Sequence, residues 1–136
     1  MAAQFIHLHV HTAYSILEGA IKMKELAKWA ASASMPAIAV TDTNNIFGAM
    51  DLADVAVKAG VQPILGCQLL VKSPEKEKNA FAEEKENFDK VVVLVQNETG
   101  YLSLLQYFKA FYTAEGKAGT PHLTFEELLA LLATYA

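Results

Sequence analysis

The chain has 136 residues, enough for one ordinary domain and too few for two. Hydrophobic residues make up 53% and charged residues 19%. That excludes disorder over most of the length, and charges interrupt every apolar stretch before the ~18 residues of a membrane span. Fifteen acidic residues against eleven basic ones leave a net charge of −4, and every basic residue is Lys, which argues against a strong nucleic-acid grip by this piece alone.

Met1–Gln4 carries no basic segment and no apolar signal core. The single cysteine, Cys67, cannot form an internal disulfide, which suits a reducing cytoplasm. Phe5 to Val10 alternates strictly and reads as a strand, with Phe5, His7, His9 and His11 on one face and Ile6, Leu8 and Val10 on the other. A loop through Thr12 to Gly19 follows. Met23 to Ser34 has the spacing of an amphipathic helix, stopped by Pro36. Ala37 to Thr41 is a short run of the kind buried on both faces of a parallel sheet. Asp42 to Asn45 is a polar turn. Phe47 to Ala59 reads as a second helix capped by Gly60. Gln62 to Val71 is a third strand.

Residues 72–88 are rich in Lys and Glu and read as a mobile charged surface loop. Val91 to Val95 is a fourth buried strand and Thr99 to Thr113 a third helix. Gly116 to Pro121 is a loop. Thr124 and Glu127 have the spacing of a capping box opening a last helix. Strands alternating with helices predict an α/β fold with a parallel sheet, whose functional residues gather at the C-terminal strand ends. His9, His11, Asp42, Gln68 and Asn97 occupy those ends. Four such strands leave an open edge, so the chain reads as part of something longer, with oligomers through that edge as one consequence.

The sharpest chemical feature is His7-Leu8-His9-Val10-His11. Strand spacing puts the imidazoles on one face roughly 6.5–7 Å apart, where a pair could converge on a metal ion. The competing reading is a polar interior of hydrogen-bonded imidazoles. Glu18 could swing back as a carboxylate ligand or stay solvated. Asp42 could ligate, orient a ligand, or cap its own turn. Cys67 reads as a small buried hydrophobe and His122 as a surface residue. No phosphate loop, GxGxxG or CxxC is present.

Phe5 to Thr12 followed by Tyr14-Ser15-Ile16-Leu17-Glu18-Gly19 resembles the opening of the PHP domain (polymerase and histidinol phosphatase), in the version at the N-terminus of the bacterial DNA polymerase III alpha subunit. Pro36 to Asp42 with Asn45-Ile46-Phe47-Gly48-Ala49, Gln62 to Cys67, and Asn97 to Tyr101 with Leu104 are similar to its later motifs, in the same order. The resemblance implies a distorted (β/α)7 TIM-like barrel, present here as an N-terminal part of about four parallel strands over residues 1–136. It implies a multinuclear metal site at the strand ends.

Carried over residue by residue, His9 and His11 match the first His-x-His pair, and His7 stands where many members have Asp. Glu18 matches an acidic ligand. Asp42 matches the Asp of a Thr-Asp-His motif whose His is Thr43 here. Gln68 replaces a metal-bridging Glu, and Lys90 lies near an expected His. The resemblance thus leaves His9, His11 and Glu18 as residual metal candidates, with Asp42 as an orienting or weak ligand. Thr43, Gln68 and Lys90 are degenerate positions, and no catalytic residue is assigned.

A partial site for one Zn or Mn is the most this set offers. The implied role is a structural or exonuclease-docking module in DNA replication. Its partners would be the remainder of the polymerase alpha subunit and a proofreading exonuclease subunit, with DNA reached only through the parent DNA-directed DNA polymerase, a nucleotidyltransferase, and no membrane. The alternative is an active metal-dependent phosphoesterase or 3′–5′ proofreading exonuclease using the same residues with later ligands. A free-standing small phosphatase is a third reading.

Overall fold

Met23, Leu26, Ala27 and Ala30 recur at helical spacing, and this stripe is the buried face of helix α1 (Met23–Ser32). The computed structural model describes residues 5–72, 88–113 and 119–133. After α1 come β1 (Ala37–Val40), α2 (Ala49–Lys58), β2 (Gln62–Lys72), β3 (Phe88–Leu94), α3 (Glu98–Thr113) and α4 (Phe125–Ala133). The fold is mixed α/β. The sheet runs in the order β1-β2-β3, and β1 pairs parallel with β2 from Ala37↔Gln62 to Val40↔Leu65. Every residue of β1 is buried, as its apolar run predicts.

Both early helices end in the same way. At the end of α2, Val61 N donates to Ala56 O (2.9 Å) and Gly60 N to Val57 O (3.0 Å), with Gly60 at φ 75°. At the end of α1, Met35 N donates to Ala30 O and Ser34 N to Ala31 O, both 3.0 Å, with Ser34 at φ 56°. These are Schellman caps, and the left-handed residue they require is a glycine in one and a serine in the other. The helix therefore stops through its own cap at Ser34, two residues ahead of Pro36.

The expected first strand is the main departure. His7 O accepts from Ala39 N and Val10 O from Thr41 N, both at 2.9 Å, so the opening segment does lie along β1. But three residues on one side span two on the other, and Val10 N is taken by Thr41 Oγ1 at 3.2 Å. The extra residue breaks the ladder as a bulge does, and with it the simple alternation of faces. No regular strand forms over residues 5–12.

The described chain divides into two compact units. The first comprises Met1–Gln68 and Val92–Val95. Its core is Met23, Leu26, Ala30, Ile38, Val40, Leu52, Ala56 and Val61, with Val10, Ile21, Met35 and Leu65 packed against it. Full burial of a side chain such as Leu26, Ile38 or Leu52 stabilises by about 1.5–3 kcal/mol each. The second unit comprises Leu69–Val91 and Gln96–Ala136. There Leu69, Val71, Leu104, Phe108, Leu123, Leu128 and Leu131 are buried. Leu123 bridges to Val71, its N donating to Leu70 O and its O accepting from Lys72 N, both at 2.7 Å. The capping box forms as its spacing predicts: Glu127 N donates to Thr124 Oγ1 (3.2 Å) and Thr124 N to a Glu127 carboxylate oxygen (2.9 Å).

Of the expected charged loop at 72–88, Lys72 and Phe88 are strand residues, and the stretch between them lies outside the described residues. So do the beginning of the Gly116 to Pro121 loop and the last residues of the chain.

Candidate functional site

Asp42 follows directly after Thr41 at the end of β1 and is 2% exposed. A buried carboxylate needs donors, and three converge on it from the opening loop. Thr12 N and Thr12 Oγ1 each donate over 2.7 Å, and Ser15 Oγ donates over 2.6 Å. Thr43 N in turn donates to Ser15 Oγ at 3.1 Å. The backbone O of Asp42 accepts from Gln68 N (3.0 Å) and from the Cys67 thiol (3.2 Å). The loop after the first segment, through the carboxylate, and the middle of β2, through the backbone carbonyl, are thus both tied to Asp42 at the end of β1.

Beside this buried knot lies a ring of five side chains. The Gln68 amide nitrogen donates to Thr43 Oγ1 at 3.0 Å, and Thr43 Oγ1 donates to Glu18 through a very short contact. Glu18 lies 3.1 Å from His11 Nδ1, and His11 Nε2 lies 3.1 Å from His9 Nε2. The circuit closes where His9 Nε2 meets Gln68 Oε1 at 2.9 Å. Thr43 and Gln68 are also joined through an isolated parallel bridge, with Asn44 N donating to Gln68 O at 2.8 Å.

A tight turn brings Glu18 back. Glu18 N and Gly19 N both donate to Ser15 O at 3.0 Å, and Ala13 N closes onto Ile21 O at 3.0 Å. Gly19 packs directly on the backbone carbonyls of His11 and Thr12, where a side chain has no room. Leu17 takes a positive φ of 68° in the same turn.

The ring bears on the metal chemistry the sequence resemblance implies. A multinuclear centre needs several anionic oxygens to offset its cations and to bridge them. Here Gln68 and Thr43 contribute neutral groups, Glu18 is engaged with His11 Nδ1 and Thr43, and Asp42 already accepts three hydrogen bonds from Thr12 and Ser15. Among the described residues, no group of three or more His, Cys, Asp or Glu side chains is arranged to hold a metal ion. Among the described residues, the donor set does not fit a multinuclear site.

The structure gathers His9, His11, Glu18, Thr43 and Gln68 and sets Asp42 beside them. His7 does not join: with the alternation broken, it meets Phe5 edge-on at a ring distance of 4.7 Å and Trp29 at a tilt at 5.5 Å. Lys90 is an exposed residue of β3 in the second unit. Asn97 caps α3, its Oδ1 accepting from Gly100 N at 3.0 Å. His122 is half-buried against the Phe88 ring at 5.0 Å. Cys67 is fully buried, and that burial pushes its thiol up to about 12, as befits a packing residue. The sequence reading missed Thr12 and Ser15 as the anchors of Asp42. Their signal is a contact across 30 and 27 residues, which no local spacing carries.

The comparisons concern the family and the fold. The family model of the PHP domain matches residues 7–136. The DNA polymerase III subunit alpha of Caulobacter vibrioides is 39% identical over 117 residues, covering 86% of this chain and 10% of that protein. The same subunit of Rickettsia conorii is 33% identical over 129 residues, covering 95% of this chain and 10% of that protein. The chain therefore spans about a tenth of the length of the curated relatives it matches. Among solved structures, an amidohydrolase from Chromobacterium violaceum, with bound sulfate and no metal, is similar in fold with a TM-score of 0.58. It is 22% identical, over 78% of this chain and 32% of that one. With a family match running almost end to end, the chain belongs to the PHP domain family.

Proposed function

We propose that this PHP domain is a non-catalytic module of a replicative DNA polymerase III alpha subunit in the cytoplasm, forming the N-terminal part of a distorted (β/α)7 barrel. Its work is structural: it packs on the rest of the alpha subunit and docks a proofreading exonuclease subunit, with DNA reached only through the parent polymerase. The parallel β1–β2 pair with its α2 crossover and the likeness in fold to a larger solved chain support the barrel reading. The net charge of −4 with no Arg favours a protein-binding surface over a DNA-gripping one.

The observation that carries the proposal is the ring of His9, His11, Glu18, Thr43 and Gln68, in which hydrogen bonds stand where an active centre would have ligand bonds. A site built this way retains its imidazoles as structural hydrogen-bonding groups. Hydrolysis of a phosphodiester in the presence of Zn or Mn is the test. The expected rate equals that of the metal alone. Turnover that disappears in His9→Ala would instead establish an active phosphoesterase.

A further inference from the structure

The ring has a direction, and the direction decides where the imidazole protons lie. Glu18 as a carboxylate only accepts, so the Thr43 hydroxyl spends its proton on Glu18. Thr43 Oγ1 must then accept from the other side, which orients the Gln68 amide with its nitrogen toward Thr43 and its oxygen toward His9. An amide oxygen only accepts, so His9 must present Nε2–H. At the far end Glu18 also faces His11 Nδ1, so that nitrogen carries the proton and His11 Nε2 is left bare. The single His9 Nε2–H then faces two acceptors in a three-centre arrangement, Gln68 Oε1 at 2.9 Å and the bare His11 Nε2 at 3.1 Å. One assignment of protons is consistent with all five contacts of the ring.

We infer that Gln68 acts as a tautomer lock: through its amide oxygen it holds His9 as the Nε2–H form, and this blocks the one His9 nitrogen that faces the other ring members from binding a metal. Coordination through that nitrogen requires its lone pair. A cation entering the ring must therefore break the His9–Gln68 bond and move the His9 proton to Nδ1. The loss of the bridging carboxylate thus does more than remove a negative charge, because the amide that replaces it opposes metal binding through its neighbour. Gln68 is here a positioning residue, acting on His9. The inference rests on reading the ring as a lost metal centre and adds the means by which cations are kept out.

The test is long-range proton–nitrogen NMR of the histidine side chains at a pH where both imidazoles are neutral, with zinc titrations of the wild type and Gln68→Met. The expected spectrum shows His9 protonated on Nε2 and His11 on Nδ1. Gln68→Met, which keeps the length of the side chain and removes its acceptor, is expected to release His9 to a mixture of forms and to tighten zinc binding about 10-fold without adding a ligand. The wild-type spectrum alone suffices if the variant does not fold. His9 protonated on Nδ1 in the wild type would overturn the lock, as would unchanged zinc affinity in a folded Gln68→Met. If either occurs while the wild type still fails to hydrolyse phosphodiesters, only the lock falls. Metal-dependent hydrolysis by the wild type would overturn the proposed function itself and the lock with it.

Discussion

Gln68 on β2 and Thr43 just past β1 meet through both backbone and side chain: an isolated parallel bridge joins them, and the Gln68 amide donates to Thr43 Oγ1 at 3.0 Å. This is the point where the sheet is stitched to the loops above it. Through Thr43 the contact continues to Glu18, and through Gln68 to His9. An opening segment that lacks a regular ladder is thereby fastened to the sheet by side chains.

Thr43→Val tests that fastening. The substitution keeps the shape and removes a hydroxyl that both accepts from Gln68 and donates to Glu18. The amide nitrogen of Gln68, a residue only 2% exposed, loses its Thr43 acceptor. Urea unfolding is expected to show a loss of about 1–3 kcal/mol with an unchanged slope. A loss below the error of the fit would mean that the ring contributes nothing to the fold.

The two Schellman caps predict opposite responses. Ser34 at φ 56° occupies a conformation that costs an L-residue about 1–2 kcal/mol, and Gly60 at φ 75° avoids that cost. Ser34→Gly is expected to stabilise by about 0.5–1 kcal/mol once the extra freedom of glycine in the unfolded chain is set against the relieved strain. Gly60→Ala is expected to destabilise by about 1 kcal/mol. Denaturant midpoints moving in the same direction for both variants would contradict the cap assignment.

Much of this fold was legible in the sequence because its signals are local. The α1 stripe, the apolar β1 run, Gly60 and the Thr124–Glu127 spacing each act within a few residues, and each forms the expected element. The first strand was misread because its departure is not local. Thr41 Oγ1 captures Val10 N and shifts the pairing by one residue, which alternation within Phe5 to His11 cannot reveal. The same shift separates His7 from His9 and His11 and leaves it against Trp29. For the site, the resemblance supplied the members of the ring one at a time. That they satisfy one another depends on chain crossings of 25 to 59 residues.

Cys67 makes a prediction about pH. Burial raises its thiol from an ordinary 9.0 to about 12, so the unfolded chain loses this proton at lower pH than the folded one. Between those values the folded state binds more protons, and stability falls as pH rises. Cys67→Ala is expected to flatten that decline. In the native protein at neutral pH the thiol is expected to resist alkylation until the chain unfolds, and rapid alkylation without unfolding would contradict its burial.

Leu52 faces the core of the first unit with no exposed surface. Leu52→Ala removes buried methyl groups and leaves a cavity between α2 and its neighbours, with an expected cost of about 2–5 kcal/mol. A cost under about 1 kcal/mol would show that the core relaxes around the deletion.

The central claim is that hydrogen bonds have replaced metal ligands around His9 and His11. Metal content measures this most directly. The purified chain, free of any polyhistidine tag, is incubated with Zn or Mn, cleared of excess ion and counted by mass spectrometry. The account predicts at most one weakly held ion per chain, with no increase when both metals are supplied together. Two or more retained ions would contradict it, and would mean that the ring opens to rebuild a working metal centre.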